Sequence, residues 1–264
     1  MAKIRLWCEI HNKVIPVIIT FIVASTVLSM FMYFINIEIK IADVPPASIK
    51  FIIHVAIHII LAVGLMKLFY PKWSFGFGRT GFKNGIKKYG IIILITVLIR
   101  VLTAWYFYGL FNPTLSLPRI LIEFLGLLLI ISTYEEILWR GMFLKSLENI
   151  FSKSKYKSFI SVIISAAVYG LWHIFGLIGQ PVIEIIVTVL YVFAWGIFFG
   201  AVYIKTENIW LPIIAHNLFN FANFPTFGMP PPPVFLDYYI TGSMYVLLGI
   251  IGVVIMLKKP KHAV

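Results

Sequence analysis

The chain has 264 residues, of which 61% are hydrophobic and 12% charged. That is more apolar surface than a soluble core of this size can hide, and it matches a polytopic membrane protein. The formal net charge of +12 does not indicate nucleic acid, because no stretch is long and polar enough to form a solvated basic domain. The lone Cys8 excludes an internal disulfide.

Breaks at polar, proline and glycine positions divide the chain into about eight apolar segments, each near the ~20 residues that cross ~30 Å of hydrocarbon. They are Val14–Ile37, Ile49–Phe69, Tyr89–Phe111, Arg119–Leu144, Phe159–Ile178, Val182–Ile204, Ile209–Phe224 and Tyr238–Leu257. The expected fold is therefore all-α, a polytopic integral membrane protein in one membrane domain covering residues 1–264. The first segment is long and lacks a small-residue cleavage site, so it reads as an uncleaved helix. The seventh is short and polar in its middle, as expected of a helix partly enclosed by its neighbours. Lysine and arginine concentrate at the amino terminus, in the Pro71–Lys88 connection, at Lys153, Lys155 and Lys157, and at the carboxyl end. With eight spans these fall on one side, so both termini are expected in the cytoplasm.

Between the second and third segments, Gly76, Gly78, Gly81 and Gly85 lie among aromatics and cations. Without a preceding strand or a Gly-Lys-Ser/Thr ending, this is no phosphate loop. The expectation is an interfacial segment, with Trp73, Phe75 and Phe77 at headgroup level and the cations facing anionic lipid. Met229–Pro233 predicts a stiff extracytoplasmic connection.

The fourth segment carries Glu135, Glu136 and Arg140 inside an apolar run, where ionised groups cost a few kcal/mol or more and are functional candidates. On a helix, Glu136 and Arg140 pair across one turn, while Glu135 points about 100° away with its charge uncompensated. The fifth segment places Tyr169 and His173 one turn apart, and the seventh places His216 and Asn220 one turn apart. Arg100 is expected to pair with Glu123 or Glu184. His54 and His58 have metal-pair spacing but no acidic partner nearby.

Glu-Glu-x-x-x-Arg, aromatic-x-x-x-His and His-x-x-x-Asn, in this order over a core of about residues 119–224, resemble the CPBP intramembrane proteases. That family includes the type II CAAX prenyl endopeptidases and bacteriocin-processing and immunity proteins. One departure is Tyr169, where the family usually has Phe; the ring is expected to pack in the same way. The resemblance implies an endopeptidase with its active site in a polar intramembrane cavity. Glu135 would be the general base, and His173 would help to hold and activate the water. Glu136 and Arg140 would form an orienting pair, with His216 and Asn220 as oxyanion donors. No cofactor is favoured, although zinc or another divalent metal on Glu135, His173 and His216 stays open.

The expected partners are the lipid bilayer and a membrane-associated peptide or protein, and the expected location is the cell membrane. Ile- and Lys-rich composition points to a bacterium, where a peptide precursor or membrane protein is a more plausible substrate than a prenylated one. The alternative reading is a non-catalytic scaffold or immunity protein working through protein contacts. A proton- or ion-coupled transporter is disfavoured because spans one to three hold no counterpart of the motifs. Depth adds a constraint: counted from Arg119 and Lys157, Glu135 and His173 would each lie ~24 Å from opposite faces. They meet only if these helices outrun the bilayer, the fifth projecting a turn or more into the cytoplasm.

Overall fold

A computed structural model describes residues 44–108, 116–122, 129–222 and 235–258, with positions 19, 21–24, 27, 41 and 126. Among them the chain is helical, apart from one isolated bridge between Ile41 and Val44. The helices are α1 (Pro46–Phe69), α2 (Phe82–Tyr108), α3 (Leu117–Leu121), α4 (Leu129–Glu136), α5 (Lys145–Ile150), α6 (Lys157–Trp172), α7 (Val182–Thr206), α8 (Trp210–Ala222) and α9 (Phe235–Leu257). A π-helix, Ile137–Leu144, joins α4 to α5, and a 3-10 helix, His173–Leu177, follows α6.

Five described helices are long and apolar enough to cross a membrane: Ser48–Phe69, Phe82–Phe107, Lys157–Leu177, Val182–Thr206 and Tyr239–Leu257. The protein is a helical membrane protein. Helix α2 shows the physical reason. Ile91, Leu94, Leu98 and Leu102 are exposed, while Thr96, Arg100 and Thr103 are buried. Apolar outside and polar inside is the arrangement that lipid selects and water opposes. The threonine hydroxyls donate to the carbonyls of Ile92 and Ile99 one turn back, which satisfies them within the helix.

The expected first span, Cys8, Glu123 and Met229–Pro233 fall outside the described residues, save for isolated positions of that span. The described part of the expected fourth span is not one regular α-helix, because the π-helix Ile137–Leu144 runs between α4 and α5, and α8, within the expected seventh, has 13 residues. Much of α8 is buried, so its polar face is met by neighbouring helices.

Helix α7 lies at the centre, packed chiefly against α6 and α9. Small residues permit this closeness. A Cβ at Gly252 would lie 2.8 Å from the Phe198 backbone, and one at Gly249 would lie 2.9 Å from Ala194.

In the Pro71–Lys88 connection two of the three aromatics pack inside the protein rather than facing outward as expected. Trp73 and Phe75 are 7% and 2% exposed, and only Phe77 is open, at 38%. The cause is a row of carbonyls that the protein itself satisfies. Lys67 Nζ donates to Trp73 O, Lys145 Nζ to Ser74 O, Tyr203 OH to Phe75 O, and Trp210 Nε1 to Phe77 O. The backbone N–H of Ile209 donates to Gly76 O, and Asn208 Nδ2 donates to Gly78 O and Thr80 O. Asn208 Oδ1 also accepts from the N–H groups of Trp210 and Leu211, which caps α8. Gly81 has φ +77, and a Cβ there would collide with Thr206 O. Gly81→Ala is therefore expected to cost more than about 1 kcal/mol, read as a lower thermal unfolding midpoint in detergent.

Candidate active site

The site is built where α4, the π-helix, α6 and α8 meet. Three side-chain bonds set α4 to α5 antiparallel to α6. Ser158 Oγ donates to Glu148 Oε1 at 2.5 Å, Ser165 Oγ to Trp139 O at 3.1 Å, and Tyr169 OH to Glu135 Oε2 at 2.6 Å. Helix α5 carries the chain on to Ile150, about 20 Å beyond Glu135 at 1.5 Å per residue, and Tyr169, one turn before His173, is level with Glu135.

The π-helix makes the middle of this arrangement. Its wide turns leave carbonyls open to side-chain donors: Trp139 O takes Ser165 Oγ, and Gly141 O takes Trp73 Nε1 at 2.9 Å. Gly141 is needed for that packing, because a Cβ there would lie 2.6 Å from the Phe75 ring.

Glu136 is fully buried. Its Oε1 accepts from Arg140 Nη1 at 3.0 Å and from His216 Nδ1 at 2.8 Å. Arg140 is 2% exposed, and its guanidinium carbon lies 4.7 Å from the centre of the Tyr169 ring and 5.6 Å from that of Phe199. Among the described residues Glu136 Oε2 and Arg140 Nη2 have no hydrogen-bond partner. The pair is thus joined by one hydrogen bond and backed by aromatic faces, which compensate a buried cation.

Glu135 is different. Its side chain is 23% exposed, and its Oε2 lies 3.6 Å from His216 Nε2. The carboxylate is not bare, as the sequence led one to expect, because the Tyr169 hydroxyl meets it from the next helix. His216 bridges the two glutamates through its two ring nitrogens. Since a carboxylate oxygen accepts, Nδ1 is the protonated nitrogen toward Glu136. Nε2 is left facing Glu135. The ring is held by Trp195 edge-on at 4.8 Å and Phe199 stacked at 5.8 Å.

His173 stands at the end of α6, and no hydrogen bond joins it to Glu135 among the described residues. Its Nδ1 lies 2.9 Å from Tyr169 O. A carbonyl only accepts, so Nδ1 carries the hydrogen and Nε2 keeps a lone pair in the neutral ring. The His173 ring meets Tyr169 edge-on at 4.8 Å. Asn220 lies one turn beyond His216, and its Nδ2 donates to Ser132 Oγ at 3.2 Å. Ser132 is fully buried one turn before Glu136.

The structure therefore brings Glu135, Glu136, Arg140 and His216 into direct contact, links His173 to them through Tyr169, and ties Asn220 to α4 through Ser132. Sequence reasoning took Tyr169 for packing alone and missed Ser132 and Trp195. The signal at Tyr169 was the hydroxyl itself, a polar group inside an apolar span.

The metal alternative can be set against this geometry. Among the described residues no group of three or more His, Cys, Asp or Glu side chains is arranged to hold a metal ion. Glu135 and His216 approach each other, but two donors fall short of the three protein ligands usual for catalytic zinc. The His54 and His58 rings lie 4.4 Å apart, tilted to each other, and His58 meets the Tyr134 ring edge-on at 6.0 Å. Arg100 Nη1 donates to Thr241 Oγ1 at 3.3 Å, and Glu123, one of its two expected partners, is outside the described residues.

No curated protein and no solved structure matches the chain. A family model, type II CAAX prenyl endopeptidase Rce1-like, matches residues 117–222, from the start of α3 to the end of α8. Every side chain of the site lies within that stretch. Over residues 117–222 the chain is therefore similar to the type II CAAX prenyl endopeptidase Rce1-like family, in agreement with the resemblance that its motifs carry.

Proposed function

We propose that the protein is an intramembrane endopeptidase that hydrolyses a peptide bond of a membrane-associated peptide or protein by a glutamate mechanism without metal. The observation that carries this reading is the division of labour between adjacent glutamates. Glu136 is sealed among Arg140, His216 and aromatic rings, whereas Glu135 is partly accessible and, among the described residues, has one oxygen without a hydrogen bond.

Water placed between Glu135 and the lone pair of His173 Nε2 attacks the scissile carbonyl carbon as its proton passes to Glu135. The oxyanion is received by His216, when its Nε2 bears a proton, and by Asn220 Nδ2. The C–N bond then breaks, and Glu135 returns the proton to the leaving amine. Glu136 and Arg140 hold His216 in place. The cycle is balanced: one water enters, and a carboxyl and an amine terminus leave.

In this reading the bilayer is crossed about eight times, the site lies in a polar cavity, both termini face the cytoplasm, and the source is a bacterium. The test is a comparison of peptide and protein termini by mass spectrometry in native membranes holding wild type, Glu135→Gln or His216→Ala at matched expression. Specific termini present only with wild type support proteolysis and name the substrate. If no terminus differs while the cellular phenotype persists in both variants, the protein acts by binding, as a scaffold or immunity protein would.

A further inference from the structure

We infer that Tyr169 is a positioning residue, whose hydroxyl fixes one oxygen of Glu135 so that the other is the oxygen that takes the proton from water. This rests on the proposed role of Glu135 as base. The Tyr169 side chain is 2% exposed, yet its hydroxyl is satisfied, donating to Glu135 Oε2 at 2.6 Å. His216 Nε2 approaches that same oxygen at 3.6 Å. Among the described residues no hydrogen bond reaches Oε1. A carboxylate with free rotation presents either oxygen to the water. One anchored at Oε2 presents a defined lone pair, and reactivity falls steeply when a reacting atom is misplaced by about 1 Å.

The same side chain gathers the other groups. Its ring lies under the Arg140 guanidinium, edge-on to His173 and against Trp139, while its carbonyl fixes the His173 tautomer. A phenylalanine at this position keeps the ring, the cation–π contact and the carbonyl, and removes only the bond to Glu135. Tyr169→Phe is therefore a clean probe.

The experiment uses the full-length protein in lipid nanodiscs and an internally quenched peptide carrying the cleavage sequence found by the termini comparison. The expected result for Tyr169→Phe is a fall in kcat of about 10- to 100-fold, the range of one hydrogen bond to a charged group. KM and the thermal unfolding midpoint should stay near wild type, a split that lost packing does not give. Infrared difference spectra should show the carboxylate band that Glu135→Gln removes displaced in Tyr169→Phe. Wild-type kcat in Tyr169→Phe, with Glu135→Gln inactive, overturns the positioning role and leaves the protease reading standing. A loss of kcat that comes with a lowered midpoint and an undisplaced band also overturns it. Wild-type cleavage by Glu135→Gln removes the base assignment, and the positioning role goes with it.

Discussion

Replacing Arg140 with methionine should lower stability by about 3–5 kcal/mol, because it leaves a fully buried carboxylate without its cation. Glu136 has no exposed surface, and its Oε1 is shared by Arg140 and His216. With the guanidinium gone, the aromatic faces of Tyr169 and Phe199 have no cation to meet, and the surrounding helices cannot open to admit water without unpacking. The thermal unfolding midpoint of the detergent-solubilised protein would fall sharply. Adding Glu136→Gln to Arg140→Met should recover part of the loss, since a neutral amide removes the uncompensated charge. A single variant that unfolds like wild type would show that the pair is not a buried charge pair, and the orienting role would fall with it.

Glu135→Gln should behave in the opposite way. The amide has nearly the shape of the carboxylate and its oxygen still accepts from Tyr169, while partial exposure of the side chain lets the new amino group be hydrated. Stability and KM should therefore change little. Turnover should fall by about 100- to 10,000-fold, the contribution of a positioned general base. Steady-state kinetics on the reconstituted protein with the quenched peptide reads both quantities. An unchanged kcat would sink the assignment of Glu135 as base, whereas a loss confined to KM would recast it as a substrate contact.

The contrast between these neighbours shows what can be read from a sequence and what cannot. Glu136 and Arg140 are four residues apart, so helix geometry alone puts them within reach, and the bond at 3.0 Å follows from local structure. The bond from His173 Nδ1 to Tyr169 O is likewise four residues long. Apolar segment lengths located the five long helices to within a few residues at most ends, because crossing a fixed thickness of hydrocarbon sets a minimum run of apolar side chains.

Across helices the limits appear. That Glu135 is met by a hydroxyl rather than left bare depends on α6 being rotated and shifted so that Tyr169, not His173, stands level with it. The burial of Trp73 and Phe75 could not be foreseen from aromatics beside cations, a pattern equally suited to a lipid interface. It follows from donors supplied by Tyr203, Asn208 and Trp210, far along the chain. The π-helix left only Gly141 as a trace, and the donors that meet its carbonyls, Trp73 and Ser165, come from other segments.

By itself, the sequence determined that the chain is a helical membrane protein, which residues in it are chemically able to act, and which of them share a helical face. Only the tertiary structure decided that the Tyr169 hydroxyl rests on Glu135, that His216 bridges two glutamates, and that Ser132 holds Asn220. Periodicity fixes direction within one helix, but the contacts between helices depend on their relative rotation and depth, which arise only when they pack.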